Sequence, residues 1–337
     1  MVVAGQYCQA QISVMLVMLL RDNDKRMPLP SFLEPLDSLH HANAEYRHAT
    51  HKISLGTVHS LWWSTRSGNL PDTVVLFKPG NPGLVEFYVP FLSAIRKKYH
   101  SNSLAILAHS HLGHSFALPY SQCNLTSQVQ GGIEAVDALV GYYGKSVRIV
   151  VITHSIGCWI SLQVLKARPE NIASLHLITP TIRYIADTPN GRSLSWLFHP
   201  FPRIVASKLT SFLGAYVPAF LLKFLFWDWP AHQITVLQRL LSSPESVLAC
   251  LEMSHDEMQS VKEADFELLA SHDNRIRIYF AGKDGWVGKH KEVIISELKT
   301  SSPRIAVAVG PDVPHAFCIN HSQQVALRCL QWLADLP

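Results

Sequence analysis

The chain has 337 residues, which suits one large domain with an insertion or two domains. Its net charge of +4 is small and no stretch is dense in Lys or Arg, which argues against a nucleic-acid partner. A content of 48% hydrophobic and 16% charged residues lies on the apolar side of soluble proteins and favours contact with an oily surface.

The first 45 residues predict an N-terminal extension that is poorly ordered. Residues 1–20 carry no charge and end in "ISVMLVMLL". This run lacks the basic flank and the cleavage site of a signal peptide, and it is shorter than the ~20 apolar residues that span a bilayer. A loose membrane contact or a disordered tail is therefore preferred to secretion.

From residue 46 to residue 335, short apolar runs alternate with helical patterns. The strand-like runs are Lys52–Val58, Ser60–Thr65, Thr73–Phe77, Leu104–Ala108, Val147–Ser155, Leu175–Thr179, Ile276–Ala281 and Ile305–Val309. The helix-like runs are Leu84–Tyr99, Ser127–Tyr143, Ile156–Pro169 and Ala316–Leu333. This alternation indicates the α/β class, with a mostly parallel sheet covered by helices on both faces. Between about residues 181 and 275 a helical, aromatic-rich block replaces it, and we interpret this block as a cap over the carboxyl edge of the sheet.

Ser155 lies between a strand-like and a helix-like run, in the sequence Thr153-His154-Ser155-Ile156-Gly157. The placement is that of the nucleophile elbow G-x-S-x-G of the α/β-hydrolase fold, where a sharp turn exposes the serine hydroxyl. Gly157 fits this motif, whereas Thr153 does not and requires a slightly wider approach of the helix. The alternative is a serine that only caps the helix.

A serine nucleophile needs a base and an acid that orients the base, and in this fold the chain order is Ser, Asp or Glu, His. Asp284 and His315 each follow a predicted strand, so both belong at carboxyl ends of strands, where open α/β sheets bind ligands. We predict a triad of Ser155, His315 and Asp284, with Asp187 as the alternative acid. His154 is a poor candidate for the base, because a neighbour in sequence at a sharp turn usually points elsewhere.

The stretch "KPGNPG" interrupts the chain directly after a buried strand. In this fold the oxyanion hole combines the N–H of the residue after the nucleophile, here Ile156, with an N–H from such a loop. Pro82 has no N–H, so Asn81 is the preferred second donor. The alternative is a plain Pro-Gly turn.

The sequence predicts no cofactor and no metal. His109, His111 and His114 lie close together, but no carboxylate or cysteine completes a zinc-ligand spacing, and we expect them in a loop near the mouth of the pocket. No G-x-G-x-x-G or Walker motif is present. The six cysteines are scattered without C-x-x-C pairs, which favours a reducing compartment.

The segment Trp196–Pro230 has the most unusual composition of the cap. No acidic residue occurs between Asp187 and Asp228, where basic residues interleave with Phe and Trp, as suits an anionic lipid interface. The longest uncharged run, Leu209–Leu222, has 14 residues, fewer than the ~20 that span a bilayer. We expect a hairpin that dips into one leaflet or a phospholipid monolayer, or an apolar lid over the active site; one segment can serve as both.

Several stretches resemble the lipid droplet-associated hydrolase family, which are serine esterases of the α/β-hydrolase fold. They are "FKPGNPGLVEFYVPFL", "THSIGCWISLQVL", "TPNGRSLSW" and "VPHAFC", and the similarity covers about residues 58–333. The resemblance implies residence on lipid droplets and on the cytosolic face of the endoplasmic reticulum, activity on sterol esters or other neutral lipids, and a droplet-targeting hairpin at Trp196–Pro230. Thr153 replaces the family's usual glycine, which bears on turnover.

Three functions remain open at this stage. The first is a droplet-bound serine hydrolase that cleaves sterol esters or acylglycerols. The second is a droplet-surface protein with little turnover that organises lipid or partners. The third is a soluble hydrolase of small esters or thioesters. The predicted triad favours the first and third, and the acid-free aromatic segment favours the first and second.

Overall fold

The structure, a computed structural model, describes residues 29–39, 45–121, 124–217 and 219–336. The apolar run predicted to contact a membrane near the N-terminus lies outside the described residues.

The described residues form one nine-stranded sheet. Its strands are β1 Leu33–Pro35, β2 Arg47–Ile53, β3 Gly56–Trp63, β4 Thr73–Lys78, β5 Leu104–His109, β6 Arg148–His154, β7 Ser174–Ile178, β8 Ile276–Ala281 and β9 Ala306–Gly310. Their order is β1-β2-β3-β5-β4-β6-β7-β8-β9, with antiparallel pairing from β1 to β5 and parallel pairing from β5 to β9. The carboxyl ends of the parallel strands therefore meet at one edge.

The helices lie between and after these strands. They are α1 Val89–Lys98, α2 Leu125–Tyr143, α3 Ile156–Ala167, α4 Pro189–Leu194, α5 Pro200–Tyr216, α6 Ala219–Leu225, α7 Ala231–Leu241, α8 Pro244–Ser260, α9 Phe266–Ser271, α10 His290–Ser301 and α11 Ser322–Ala334. A short 3-10 helix at Val85–Tyr88 directly precedes α1. The six helices α4 to α9 all fall between β7 and β8, in the block that the sequence predicts to be the cap.

The core lies on both faces of the sheet, because each central strand presents apolar side chains on both sides. In β4, Val74 and Leu76 pack into the cluster that α2, α3 and α10 cover, while Val75 and Phe77 pack into the cluster beneath α1 and α11. Strands buried on both faces read as continuous apolar runs, which is why this sheet is recognisable in the sequence.

Residues 29–39 differ from the expected poorly ordered extension. Leu33 is 4% exposed, and its strand β1 pairs with β2 in the register Leu33 to His51 and Pro35 to Ala49. A three-residue strand without apolar alternation gives little sequence signal, so its pairing with β2 could not be read from the sequence.

Two helices also differ from the prediction. The last helix begins at Ser322 rather than at Ala316, because the apolar residues Phe317 and Cys318 are buried in the preceding loop instead of on a helical face. Helix α10 was not predicted, although Ile294 and Leu298 have the i, i+4 spacing of a buried helical stripe.

Within the described ranges, none of the helices combines the length and the apolar character needed to cross a membrane.

Candidate active site

Ser155 occupies the sharp turn between β6 and α3. Strand β6 ends at His154 and α3 begins at Ile156, so Ser155 alone makes the turn, with φ 54° and ψ −124°. A non-glycine residue in this range of φ is strained and persists where the surrounding structure fixes it. The turn presents the serine hydroxyl beside the N-terminus of α3, whose first N–H groups have no partner within the helix.

Gly157 allows α3 to approach the end of β4 closely. A Cβ atom at this position would lie 2.4 Å from the carbonyl oxygen of Pro79 and 2.8 Å from that of Lys78. The same Cβ would lie 2.7 Å from Oγ1 of Thr153, which is completely buried. The threonine that departs from the elbow pattern is therefore accommodated by the absence of a side chain at residue 157.

The structure brings Ser155, His315 and Asp284 together, although they are far apart in the sequence. The Nε2 atom of His315 lies 2.9 Å from Oγ of Ser155, and its Nδ1 atom lies 2.8 Å from Oδ2 of Asp284. A carboxylate only accepts hydrogen bonds, so Nδ1–H of His315 donates to Asp284, and Nε2 is left to accept the serine hydroxyl proton. The loops after β8 and β9 carry Asp284 and His315 to the carboxyl edge of the sheet.

Asp284 is held as a carboxylate although its side chain is only 3% exposed. Burial alone would raise its pKa, but the hydrogen bond from His315, the positive charge available on that ring and the N–H groups of Trp286 and Val287 outweigh burial and lower the pKa. A carboxylate at this position both orients the imidazole and stabilises its protonated form.

Asp187, the alternative acid, lies elsewhere. Its side chain is 42% exposed, forms an ion pair with Arg192, and lies 3.2 Å from Nζ of Lys289. Hydrogen bonds from Arg192 and Lys289 lower its pKa to about 2. The structure therefore places Asp284, and not Asp187, against His315.

The loop after β4 lies directly against the serine. A Cβ on Gly80 would come within 2.8 Å of both Cβ of Ser155 and Nδ1 of His154, so only glycine fits there. The N–H of Gly80 donates to the hydroxyl of Tyr88 at 3.1 Å. The next residue, Asn81, lines the pocket beside Ser155, and Ile156 opens α3 on the other side of the serine. The backbone N–H groups of these two residues are the predicted oxyanion donors.

The side chain of Asn81 has a separate role that the sequence did not reveal. Its Nδ2 atom lies 2.9 Å from the carbonyl oxygen of Cys250, 2.9 Å from Oγ of Ser254 and 3.0 Å from Oε1 of Glu257. All three partners belong to α8, so the side chain fastens the loop to the cap. Only the backbone of Asn81 remains available for a substrate oxygen.

His154 connects the loop, the elbow and the histidine of the site. Its Nε2–H donates to the carbonyl oxygen of His315 at 2.9 Å, which leaves Nδ1 to accept the hydroxyl of Tyr88 at 2.7 Å. Burial, and then the charge available on His315, lower the pKa of His154 to about 3, so its ring is neutral. Sequence reasoning set His154 aside as a base, and it missed Tyr88 because the two residues are 66 positions apart.

Comparison with known proteins identifies the family. A family model described as lipid-droplet associated hydrolase matches residues 71–318, which include every residue of the site described above. The chain belongs to the lipid droplet-associated hydrolase family. Two relatives that bear the name lipid droplet-associated hydrolase are 27% identical: the protein of Dictyostelium discoideum covers 80% of this chain and 90% of its own length, and the human protein 79% and 86%. The structure of an esterase from Thermogutta terrifontis is similar, with a TM-score of 0.57 and 15% identity over 87% of this chain and 99% of that one; this likeness shows the α/β-hydrolase fold.

In this member of the lipid droplet-associated hydrolase family, an apolar cavity of about 380 Å³ opens above Ser155 and His315. Large apolar side chains of the cap and of neighbouring loops contribute to its wall. They are Phe87, Leu194, Phe198, Trp229, Leu237, Leu240, Trp286 and Ile319. Phe198 and Trp229 belong to the segment predicted to contact lipid, so part of that segment lines the pocket instead.

Glu257 introduces a carboxyl group into this apolar wall, and nothing in the sequence distinguished it. It is 6% exposed, and burial raises its pKa to about 8 despite the hydrogen bond from Asn81, which lowers it. At neutral pH the group is therefore mostly protonated, and it lines the cavity as a neutral carboxyl.

The three clustered histidines are buried in the protein rather than placed at the pocket mouth. His109, His111 and His114 are at most 1% exposed, and none of them lines the cavity. Nδ1–H of His114 donates to the carbonyl oxygen of Pro82 at 2.8 Å, and a Cβ on Gly83 would lie 2.6 Å from the same nitrogen. His111 and His114 pack against Gly83 of the loop, and His109 contacts Lys78 at the end of β4. None of the three lies at the mouth of the pocket, so that expectation is wrong.

Proposed function

We propose that this chain is a serine hydrolase that cleaves carboxylic esters of neutral lipids, sterol esters or acylglycerols, through Ser155, His315 and Asp284. The observation that carries the proposal is the continuous hydrogen-bonded path from Oγ of Ser155 through His315 to Asp284, at 2.9 and 2.8 Å. These distances fall in the range that proton transfer from a nucleophile to its base requires.

The chemical steps follow from this geometry. His315 takes the hydroxyl proton as Ser155 attacks the ester carbonyl, and the developing oxyanion rests on the backbone N–H groups of Ile156 and Asn81. His315 then protonates the departing alcohol, while Asp284 stabilises the imidazolium. Water, activated by the same imidazole, hydrolyses the acyl-enzyme and restores the serine.

The pocket supports an apolar acyl or sterol group as the part of the substrate that is recognised. Phe, Leu, Ile and Trp side chains contribute much of its wall. Burial of an apolar group the size of a Leu or Phe side chain is worth about 1.5–3 kcal/mol relative to its exposure to water. Glu257 is mostly protonated at neutral pH, so an apolar group that enters the cavity does not have to desolvate a charged carboxylate there.

The cap also supports contact with a lipid surface. Among the described side chains of Trp196–Pro230, the large apolar ones that are exposed form a set that we call the apolar face of the cap. They are Trp196, Phe201, Ile204, Val205, Leu209, Phe212, Phe220, Leu221, Phe224, Leu225 and Trp227. Exposed apolar sets of this extent mark interaction or membrane sites. Of the basic residues in the segment Trp196–Pro230, Arg203 forms an ion pair with Glu252, whereas Lys208 and Lys223 are exposed. The relatives' names associate those proteins with lipid droplets, which supports a droplet location for this chain. We propose residence on the cytosolic face of the endoplasmic reticulum as well, on the basis of the family resemblance alone.

A fluorophosphonate probe tests the catalytic proposal. We expect stoichiometric labelling of the full-length protein and none of Ser155→Ala, with hydrolysis of emulsified cholesteryl and glyceryl esters lost in parallel. Absence of labelling in the intact protein, or equal labelling of the variant, would refute the catalytic proposal. The remaining hypothesis would then be a droplet-surface protein with little turnover. Labelling with activity confined to short, water-soluble esters would instead favour the soluble small-ester hydrolase.

A pair of double variants tests the lipid contact. Phe224→Ser with Trp227→Ser removes side chains that are 77% and 81% exposed, and Leu55→Ser with Leu70→Ser removes side chains that are 50% and 68% exposed on other elements. Binding to phospholipid-coated triolein droplets should fall at least about tenfold for the first pair, because each lost insertion costs ~1.5 kcal/mol or more, and should not change for the second. Equal binding by both pairs would contradict the assignment of this face.

A further inference from the structure

A second group of chemically active side chains lies apart from Ser155. His48 is on β2, His59 is on the adjacent strand β3, and Glu86 is in the 3-10 helix at Val85–Tyr88. They are 7%, 1% and 3% exposed, and none of them lines the cavity above Ser155.

Potential ligand atoms of the three side chains lie close together. One potential ligand atom from each residue lies within 4.8 Å of the other two. Nδ1 of His48 lies 3.0 Å from Nε2 of His59, and Nδ1 of His59 lies 3.6 Å from Oε1 of Glu86. The two imidazole rings are stacked, with their centroids 5.2 Å apart.

The carboxylate is the unusual member of this group. Both of its oxygens are buried, and neither has a hydrogen-bond partner within the part of the chain that the structure describes; the same holds for Nδ1 of His59. A buried carboxylate without hydrogen bonds is costly, and such groups in proteins are generally paired or coordinate metals. Oε1 of Glu86 and Nδ1 of His59 lie 3.6 Å apart, beyond hydrogen-bond distance, and a cation bound to this group would give the carboxylate a partner.

We propose that His48, His59 and Glu86 bind a divalent transition-metal ion, with Zn²⁺ the best match. Two imidazole nitrogens and one carboxylate oxygen are a donor set that zinc accepts, with the fourth position left for water. Zinc–ligand distances of about 2.0–2.2 Å require ligand atoms roughly 3.3 Å apart. An imidazole binds one ion through a single nitrogen, so the ligand atoms, which lie within 4.8 Å of one another, reach this value by side-chain movements of up to about 1.5 Å.

Such an ion would join the β2–β3 hairpin to the segment that supports the active site. Glu86 precedes Tyr88 by two residues, and Tyr88 holds both Gly80 and His154. The ion would act as a structural clamp, since its ligands do not reach the cavity. The nearby positive groups that oppose a cation, Arg239 and His232 on α7, are exposed, so solvent screens their charges.

Metal binding by the full-length, tag-free protein tests the proposal. After treatment with a chelator, titration with Zn²⁺ against a chromophoric indicator should give one equivalent per chain, and Co²⁺ should produce a visible absorption band typical of four-coordination. Glu86→Gln and His59→Asn should each weaken binding by more than the roughly 10–100-fold loss that follows removal of an outer-sphere partner. His51→Asn is the matched control, because His51 is a buried histidine on β2 outside the group, and it should bind as the unaltered protein does.

Thermal unfolding provides a readout that is independent of activity. Zn²⁺ at about 100 times its Kd should raise the Tm of the unaltered protein and of His51→Asn by about 2–5 °C. The Tm of Glu86→Gln should not change on addition of Zn²⁺. Failure of the unaltered protein to retain an equivalent of either metal would overturn the proposal. So would Glu86→Gln binding as tightly as His51→Asn. Neither result would alter the labelling of Ser155, so this proposal and the proposed function fail separately.

Discussion

The hydroxyl of Tyr88 is the most informative single group to remove, because it connects two parts of the site. It accepts the N–H of Gly80 at 3.1 Å and donates to Nδ1 of His154 at 2.7 Å, in a place where Tyr88 is 3% exposed. Tyr88→Phe keeps the ring and leaves both partners buried without a hydrogen bond. A buried group that loses its partner costs about 1–3 kcal/mol, so the expected destabilisation is about 2–6 kcal/mol in total. In a protein of this size, each kcal/mol of destabilisation lowers the Tm by about 2 °C, so we expect the Tm to fall by about 4–12 °C.

The same substitution should slow catalysis without abolishing it. Gly80 precedes the proposed donor Asn81, so a loop that loses the Tyr88 contact holds that N–H less well. The complete loss of one oxyanion donor reduces kcat by about 10²–10³, which is the upper limit for this indirect effect, and we expect a fall of about 10–100-fold with a smaller change in KM.

The assay combines calorimetry with the hydrolysis of a soluble p-nitrophenyl ester, from which kcat and KM are obtained separately. Tyr143→Phe is the matched control, because the hydroxyl of Tyr143 is buried and has no hydrogen-bond partner among the described residues. Its removal should leave kcat within about twofold and should not lower stability. If the two variants behave alike in both measurements, the hydrogen bonds of Tyr88 do not support the site.

Three further predictions concern other parts of the site. Asp284→Asn should lower kcat about 10⁴-fold, because an amide lets the imidazole adopt the wrong tautomer. Asp187→Asn should change kcat by no more than about twofold. Equal losses of kcat in the two variants, measured with the same ester, would contradict the choice of Asp284 as the acid. Gly157→Ala should destabilise the protein by ~1–3 kcal/mol in urea unfolding, because the new Cβ would lie 2.4 Å from a backbone oxygen. Gly141→Ala is the control: its Cβ would meet nothing within 4 Å, so it should stabilise the protein by ~0.5–1 kcal/mol. Because the pKa of Glu257 rises from 4.5 to about 8 on folding, the folded state keeps a proton that the unfolded chain releases, so its contribution to stability falls as the pH rises between these values. The free energy of unfolding, measured with urea, should therefore fall less between pH 5 and pH 8 for Glu257→Gln than for the unaltered protein. An equal fall in the two proteins would refute the raised pKa of Glu257.

The central part of the fold was predictable because its strands are buried on both faces. The strand expected at Thr73–Phe77 extends over Thr73–Lys78, and the strand expected at Leu175–Thr179 extends over Ser174–Ile178. Strand β1 was not predictable, since three residues at a sheet edge have no period of their own. Phe317, which suggested an early start of the last helix, is instead buried in the loop that carries His315.

The positions of the proposed catalytic residues were predictable for a topological reason, and their supporting contacts were not. The carboxyl ends of parallel strands meet at one edge, so residues that follow β6, β8 and β9 come together whatever their separation in sequence. The contact of Tyr88 with His154 spans 66 residues, and that of Asn81 with Glu257 spans 176. Such contacts depend on how the cap and the helices pack, which no local pattern encodes. The group of His48, His59 and Glu86 escaped notice for the same reason, because its members are on three separate elements.

The loop that follows β4 is held from three sides, and this bears on how the cap should be studied. Tyr88 holds Gly80, His114 holds the carbonyl oxygen of Pro82, and α8 of the cap holds the side chain of Asn81. A donor held in this way needs no reorganisation when charge develops on the substrate, which is the property that makes oxyanion holes effective. Deleting the segment 195–230 would disturb the packing of α8 and thereby the loop, so a loss of activity after deletion would not distinguish lipid contact from catalysis. Substitutions at exposed positions such as Phe224 and Trp227 leave α8 in place, and for that reason they separate the two.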